Sequence, residues 1–170
     1  MKNLFKLATY FVCLSVLILS SCKKEEGCTD PTAMNYSSDA EEDDGTCIHA
    51  YDIAQGVWNI SPDCDDIDIP GIGAFSLDTI LPETIDVQGE EDDSLSIDVN
   101  GTEISAEIDN SGNVTVSEQS ITFQSLPVPA TVSGNGKIES KNSGHITLNF
   151  SAEVAGFSLF SSSCGIILTK

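Results

Sequence analysis

The stretch Leu95-Ser-Ile-Asp-Val-Asn-Gly-Thr-Glu-Ile-Ser-Ala-Glu-Ile108 decides how this chain folds. Leu95, Ile97 and Val99 alternate with polar residues, Asn100-Gly101 interrupts, and Ile104, Ala106 and Ile108 resume the alternation. A period of two belongs to a strand with one buried face. Asn-Gly is the strongest short hairpin signal, because a type I′ turn needs positive φ at both central residues. A two-residue loop there pairs Ile97 with Ile104 and Leu95 with Ala106, which puts the apolar residues of both strands on one face. The same register sets Asp98 opposite Glu103, a like-charge pair that costs a few tenths of a kcal/mol and is expected to face water.

Downstream, a turn around Asn110-Ser111-Gly112 lets Ile108 face Val114 and Ala106 face Val116, so the buried face continues. Ile121 and Phe123 predict another strand, stopped by Pro127 and Pro129. A second hairpin turning near Asn142-Ser143 is expected to pair Ile138 with Ile146, Gly136 with Leu148, Gly134 with Phe150 and Val132 with Ala152. Large side chains would then lie over the two glycines. The last strand is expected from Gly165 to Thr169, after Cys164. Upstream, Val57 to Ile60 and Ile85 to Gln88 add two more, while Ile69 to Leu81, with two glycines, is ambiguous. No stretch here has a helical period. Residues 50–170 therefore form an all-β domain, a mainly antiparallel meander of about eight strands. Such a sheet hides its edges by closing into a small barrel or by folding into an immunoglobulin-like β-sandwich.

Ahead of this domain the chain is built differently. Lys2 and Lys6 precede an apolar run from Leu7 to Leu19, the layout of a signal peptide. The run is shorter than the roughly 20 helical residues needed to span a bilayer. Leu19-Ser20-Ser21-Cys22 resembles the bacterial lipobox, which implies cleavage after residue 21 and acylation of Cys22. Several acyl chains on one cysteine anchor stably, since each buried methylene contributes about 0.8 kcal/mol. Lys23-Lys24-Glu25-Glu26 resembles the export signal of surface lipoproteins in some Gram-negative bacteria. The expected location is thus the outer membrane, with the domain displayed on the cell surface or, if those four residues are only a tether, facing the periplasm. Residues 1–21 are read as signal peptide, 22–27 as lipidated tether, 28–48 as an acidic module and 50–170 as the β-domain.

The whole chain has formal charge −20, and losing two lysines with residues 1–21 leaves five lysines against 27 acids, or −22. A surface this acidic repels nucleic acid and phosphorylated substrates and favours cations. With Cys13 in the signal and Cys22 lipidated, Cys28, Cys47, Cys64 and Cys164 remain. An even number in an exported protein implies two disulfides, with three pairings open. Cys28 with Cys47 and Cys64 with Cys164 is favoured, because each module then has its own staple. A zinc site would need short paired ligand spacings that are missing here.

Residues 27–47, GCTDPTAMNYSSDAEEDDGTC, contain few large apolar side chains and cannot bury a core alone. The segment resembles a short cysteine-flanked repeat, Cys-Thr-Asp-Pro-Thr-Ala followed by Asn-Tyr, Asp-Asp-Gly and a second cysteine, found in secreted and surface proteins of marine and gliding bacteria. Asp30, Asn35, Asp39, Glu42, Asp43 and Asp44 supply oxygen donors of the kind calcium prefers, making calcium the one cofactor expected. Against a calcium loop, Ala40 stands where an oxygen ligand belongs and the later bidentate glutamate is missing. The alternative is a disulfide-closed spacer whose acids face water.

Gly56-Val57-Trp58 on the first strand resembles the Gly-x-Trp signature of lipocalin-like barrels, in which the tryptophan packs across the closed end. The whole domain is similar to small lipocalin-like lipoproteins that run from an early Gly-x-Trp and cysteine to a Gly-x-Gly strand and a terminal Cys-to-Lys segment. The resemblance implies a barrel. No nucleophile elbow, phosphate-binding glycine loop or zinc-protease helix occurs, and His49 and His145 have no obvious partners. The expected function is therefore non-catalytic. Either the domain works as a structural or interaction module toward a protein partner, or it encloses a small apolar ligand against walls such as Trp58, Phe123, Leu148 and Phe150.

Overall fold

The computed structural model describes residues 24–69, 71, 73–90, 93–122 and 128–170. Cys22, Lys23 and Phe123 lie outside the described residues. Short elements open the fold: β1 (Glu26–Gly27) pairs in parallel with β2 (Glu42–Asp43), and α1 (Ala50–Ala54) is a single helical turn and a half. Then come β3 (Gly56–Cys64), the ribbon β4 (Ile67–Ile69) and β5 (Gly73–Phe75), and a 3-10 turn at Leu77–Thr79. The meander follows as β6 (Thr84–Gly89), β7 (Ser94–Val99), β8 (Thr102–Ile108), β9 (Asn113–Ile121), β10 (Ala130–Ser140), β11 (Ser143–Val154) and β12 (Phe157–Thr169). Eight of these strands close into an antiparallel barrel in the order β10-β11-β12-β3-β6-β7-β8-β9. The sandwich alternative falls, since closure leaves one continuous ladder rather than two facing sheets.

The β7–β8 hairpin forms as its sequence dictates. Ile97 pairs with Ile104, Leu95 with Ala106 and Asp98 with Glu103. Asn100 and Gly101 have φ of 55° and 81°, the positive pair that a type I′ turn requires. Each carboxylate of the like-charge pair has its own donor: Asp98 accepts the Gly101 amide at 2.8 Å, and Glu103 accepts the Ser96 hydroxyl. Further on, Ile108 pairs with Val114.

Three expectations are corrected, each where the period of two is broken. In β9, the pairs Val132 with Gln119 and Gly134 with Val116 leave Ser117 and Glu118 opposite Ser133 alone, which is a β-bulge. The buried set therefore switches from Val114 and Val116 to Ile121, so Ile121 ends β9 instead of opening a strand of its own. In the β10–β11 hairpin the register lies two residues from the expected one: Gly136 meets Ile146, Gly134 meets Leu148 and Val132 meets Phe150. A shift at Glu139 tightens the turn so that Ser140 faces Ser143. The last strand starts at Phe157 rather than Gly165, because Ser162 occupies an inward position, buried, with its hydroxyl donating to the Asp65 carbonyl at 2.9 Å. The ambiguous stretch from Ile69 to Leu81 resolves into β5 and the 3-10 turn, whose Leu77 is fully buried.

Glycine matters most in β10. A Cβ on Gly134 would strike the Thr147 carbonyl and come within 2.8 Å of Leu148 Cδ2, and one on Gly136 would strike the His145 carbonyl. The two carbonyls are backbone, so they cannot move aside. Ala155 presents the reverse case: a non-glycine residue at φ 52°, before Gly156 at φ 81°, in the turn between β11 and β12. Gly134→Ala is expected to destabilise the barrel by roughly 1–3 kcal/mol through overpacking. Ala155→Asn is expected to stabilise it by up to about 1 kcal/mol, since asparagine tolerates the left-handed region better than alanine does. Urea unfolding at neutral pH reads both, and opposite signs are the outcome sought.

Candidate functional site

Alternation along eight strands brings Trp58, Ile60, Val116, Leu148, Phe150 and Leu168 around one lumen, where they enclose a cavity of about 60 Å³. Small-molecule pockets run to roughly 300–1,000 Å³. Even an engineered cavity that takes up benzene measures about 150 Å³. Of the expected ligand-binding residues, Trp58, Leu148 and Phe150 do line this space together, and each is buried mainly against the other walls. Among the described residues, no buried side-chain nitrogen or oxygen lacks a partner.

Both ends of the lumen are shut by the chain itself. At the end where β3 leaves off, Ile67 and Ile69 of the β4–β5 ribbon and Leu77 of the 3-10 turn join the barrel core. Cys64, at the root of the ribbon, bonds Cys164 directly across the β3–β12 ladder, with Cα atoms 4.0 Å apart. The Cys64 amide also donates to Asp78 Oδ1 at 3.1 Å, fixing the 3-10 turn to the same point. Cys64, Cys164 and Asp78 are the one group of three metal-binding atom types that gathers among the described residues, and the disulfide occupies both sulfurs.

The opposite end is closed by α1. Trp58 is fully buried beneath it, and its indole Nε1 donates to the Ala54 carbonyl at 2.6 Å. Lys170 Nζ lies 4.2 Å from the centroid of the Trp58 ring and donates to the carbonyls of Ile53 at 2.8 Å and Gln55 at 2.6 Å. Partial burial lowers the Lys170 pKa below the ordinary lysine value. The carbonyls at the C-terminus of α1 and the π face of the ring oppose that penalty by stabilising the cation. The Tyr51 hydroxyl ties α1 to the Glu90 carbonyl. Sequence reading missed Lys170 and Ile53, because nothing local marks a lysine as the partner of a tryptophan 112 positions earlier.

The acidic module rests against this second end. Its disulfide joins Cys28 to Cys47, with Cα atoms 4.8 Å apart. Ala33 is buried, and Met34 packs against the barrel core beside Gly112. The oxygen donors read as metal ligands are spread along the loop and shape it locally. Asp30 accepts the Thr32 amide and hydroxyl at 2.8 and 2.7 Å, Asp43 accepts the Gly45 amide at 3.0 Å, and Asp44 accepts the Thr46 amide and hydroxyl at 2.9 and 2.6 Å. Asn35 spans the loop, donating to the Thr46 carbonyl and accepting the Ile48 amide, each at 2.7 Å. Glu42 lies 3.5 Å from Lys24, and Asp39 is exposed. Among the described residues, no three carboxylates of the module converge to coordinating distance. His49 and His145 each gain a carboxylate neighbour, Asp30 at 3.6 Å and Glu139 at 3.4 Å, that the sequence did not reveal.

One further polar device spans the barrel wall. Where the β9 bulge parts that strand from β8, the Gln119 side chain stands in for the missing ladder, accepting the Ser105 amide at 3.0 Å and donating to the Ser105 carbonyl at 2.8 Å. Three aspartates sit below the ordinary carboxylate range. Thr32 holds Asp30 down, mainly through its amide; Thr46 holds Asp44 down, mainly through its hydroxyl; and Asp109 is held down first by the Asn113 side chain and then by the Asn113 amide.

No family model matches this chain, and no curated protein does. Among solved structures, a redesigned β-barrel is similar over 72% of this chain and 95% of its own, at 13% identity and a TM-score of 0.45.

Two outcomes follow from the geometry. Lys170→Met should leave the Ile53 and Gln55 carbonyls without their cation and destabilise the fold by about 1–3 kcal/mol, read from the urea midpoint, while Trp58→Phe should lose the Ala54 bond as well as packing. The second concerns acid. A depressed folded-state pKa contributes stability that is present above the unfolded-state pKa and lost as pH falls through the folded value. Stability should therefore hold from neutrality down to the ordinary aspartate range of about 4 and decline below it. Asp109→Ala should make that decline shallower, and an unchanged slope would remove Asp109 from the account.

Proposed function

We propose that this protein is a lipid-anchored envelope protein whose lipocalin-like barrel acts as a non-catalytic interaction module, its interior too full for a drug-sized ligand and its work done at the surface. The observation that carries the reading is the lumen: about 60 Å³ of apolar space, shut at one end by α1 and at the other by the β4–β5 ribbon. The His49–Asp30 pair is half-buried and the His145–Glu139 pair exposed, with no hydroxyl or thiol paired to either histidine among the described residues, and the inward-facing Ser162 spends its hydroxyl on a backbone carbonyl, so none offers an activated nucleophile. The Cys22 anchor would hold the module and α1 toward the membrane, because Lys24 to Gly27 lead into the module that rests on that end. The opposite end then faces outward, whether from the cell surface or into the periplasm.

Two measurements test this. Metabolic labelling with a fatty acid should mark the wild type and not Cys22→Ala; equal labelling of both would overturn the anchor. Titration of the purified domain with a fluorescent fatty acid should show no saturable binding. One-to-one binding that the lumen-filling Phe150→Trp variant abolishes would make the protein a carrier of apolar ligands instead.

A further inference from the structure

The longest strands of the barrel, β11 and β12, run past their neighbours. The β10 ladder ends at Thr131 with Ser151, and the β3 ladder ends at Cys64 with Cys164. The tip of the β11–β12 hairpin, Val154-Ala155-Gly156-Phe157, therefore stands clear of both flanking ladders. Its side chains are apolar and open to water: Phe157 is 76% exposed and Val154 is 51% exposed, and the two face each other across the turn. Phe157 is the most exposed large apolar side chain among the described residues, and Val154 across the turn makes the tip a two-residue apolar patch. The turn itself carries the same message. Asn100-Gly101 and Ala155-Gly156 have nearly the same pair of positive φ values, yet alanine stands in the second where asparagine would relieve strain.

The charge around the tip selects what covers it. By strand order, the described lysines, Lys24, Lys137, Lys141 and Lys170, all lie toward the α1 end of the barrel. Among the described residues the tip end carries no lysine: Glu153 adjoins Val154, and Asp65, Asp66 and Asp68 belong to the β4–β5 ribbon beside β12, while Asp98 and Glu103 lie at the same end but on the far wall of the barrel. Asp65 lies against β12 itself, its amide donating to the Ser163 carbonyl at 3.2 Å. A second copy would bring these acids against their like, which costs energy at close range. A cationic surface would find them complementary.

We propose that the β11–β12 tip is a docking surface for a basic polypeptide partner, with Phe157 and Val154 as apolar anchors and Glu153 and the ribbon aspartates Asp65, Asp66 and Asp68 steering a lysine- or arginine-rich face onto them. Aromatic side chains are enriched among the anchors of protein–protein contacts, whose rims are polar. The inference rests on the reading of the barrel as an interaction module and names its partner class.

The test uses the full mature chain and two soluble probes, an alternating lysine-leucine peptide and an oligolysine of equal length, with affinity measured by calorimetry at low salt. The alternating peptide should bind the wild type about tenfold more tightly than the oligolysine. Phe157→Ser should bring the two to the same affinity; since Phe157 is exposed, its unfolding midpoint serves as the check that the fold is intact. Neutralising Asp65, Asp66 and Asp68 to asparagine should weaken both probes several-fold, while neutralising Glu25, Glu41 and Asp52 at the other end should not. Equal weakening by the two triple variants would mean that net charge alone attracts the probes, and would overturn the site. So would an unchanged affinity in Phe157→Ser, or a wild-type dimer in sedimentation that Phe157→Ser dissolves, which would make a second copy the occupant. Fatty-acid titration fails or succeeds independently of these arms, so a carrier function and a misplaced docking surface give different results.

Discussion

An eight-stranded barrel leaves an interior just wide enough for its own side chains, and that constraint governs the rest of this molecule. Every inward position must be filled by a residue whose size suits its neighbours across the lumen. Gly134 and Gly136 are part of that fit: they remove side chains from β10 at the points where Leu148 and Ile146 lie over the strand. Volume given to the large residues on β11 is taken from β10. With the lumen so divided, only about 60 Å³ remains.

Closing the wall leaves the ends, and each is shut by different physics. At the ribbon end, apolar burial of Ile67, Ile69 and Leu77 is combined with a covalent link across β3 and β12. That link closes a loop with a sequence separation of 100 residues, for which the chain-entropy model gives about 4.7 kcal/mol. At the α1 end the cover is polar on its outside. Trp58 fills the base, and Lys170 crosses it to reach carbonyls at the C-terminus of a helix too short to be stable alone. The two devices join positions far apart in sequence, so the barrel is stapled at both ends by its first and last strands.

Much of this was legible in the chain, and the places where it was not share a cause. The β7–β8 hairpin was read to the residue because alternation and turn chemistry agree there. The β10–β11 register was read two residues off because Asn142-Ser143 marks a turn without fixing its length, and a shift at Glu139 took up the difference. The β9 bulge hid the end of a strand, since one extra residue inverts which parity faces inward. Ser161 to Ser163 concealed half of β12, because a buried serine satisfied by the Asp65 carbonyl has no signature in composition. For the candidate site, the walls Trp58, Leu148 and Phe150 were identifiable as inward-facing residues, but core and pocket have the same alternation. Only the volume between side chains separates them, and volume is a property of all eight strands at once. The acids of the module illustrate the same limit: their oxygen atoms were counted correctly, while the Thr32, Gly45 and Thr46 amides that claim several of them belong to loop geometry.

A filled lumen also changes where function can reside. Side chains locked inside the wall cannot respond to a partner, so in the proposed interaction module recognition would fall to turns and strand ends, which a rigid scaffold positions without needing to move. Turns chosen only for stability should follow turn chemistry, as Asn100-Gly101 does. A turn that departs from it without gaining packing is the kind of local conflict that a foldable sequence retains at sites under another demand. Ala155 is such a conflict, because its side chain is exposed and so gains no burial in return for its left-handed backbone. Phe157 beside it is exposed as well, and the ribbon below it is rich in aspartate. Strain, exposed apolar surface and one-signed charge thus coincide at the barrel end remote from the module, the end where the scaffold itself has least need of any of them.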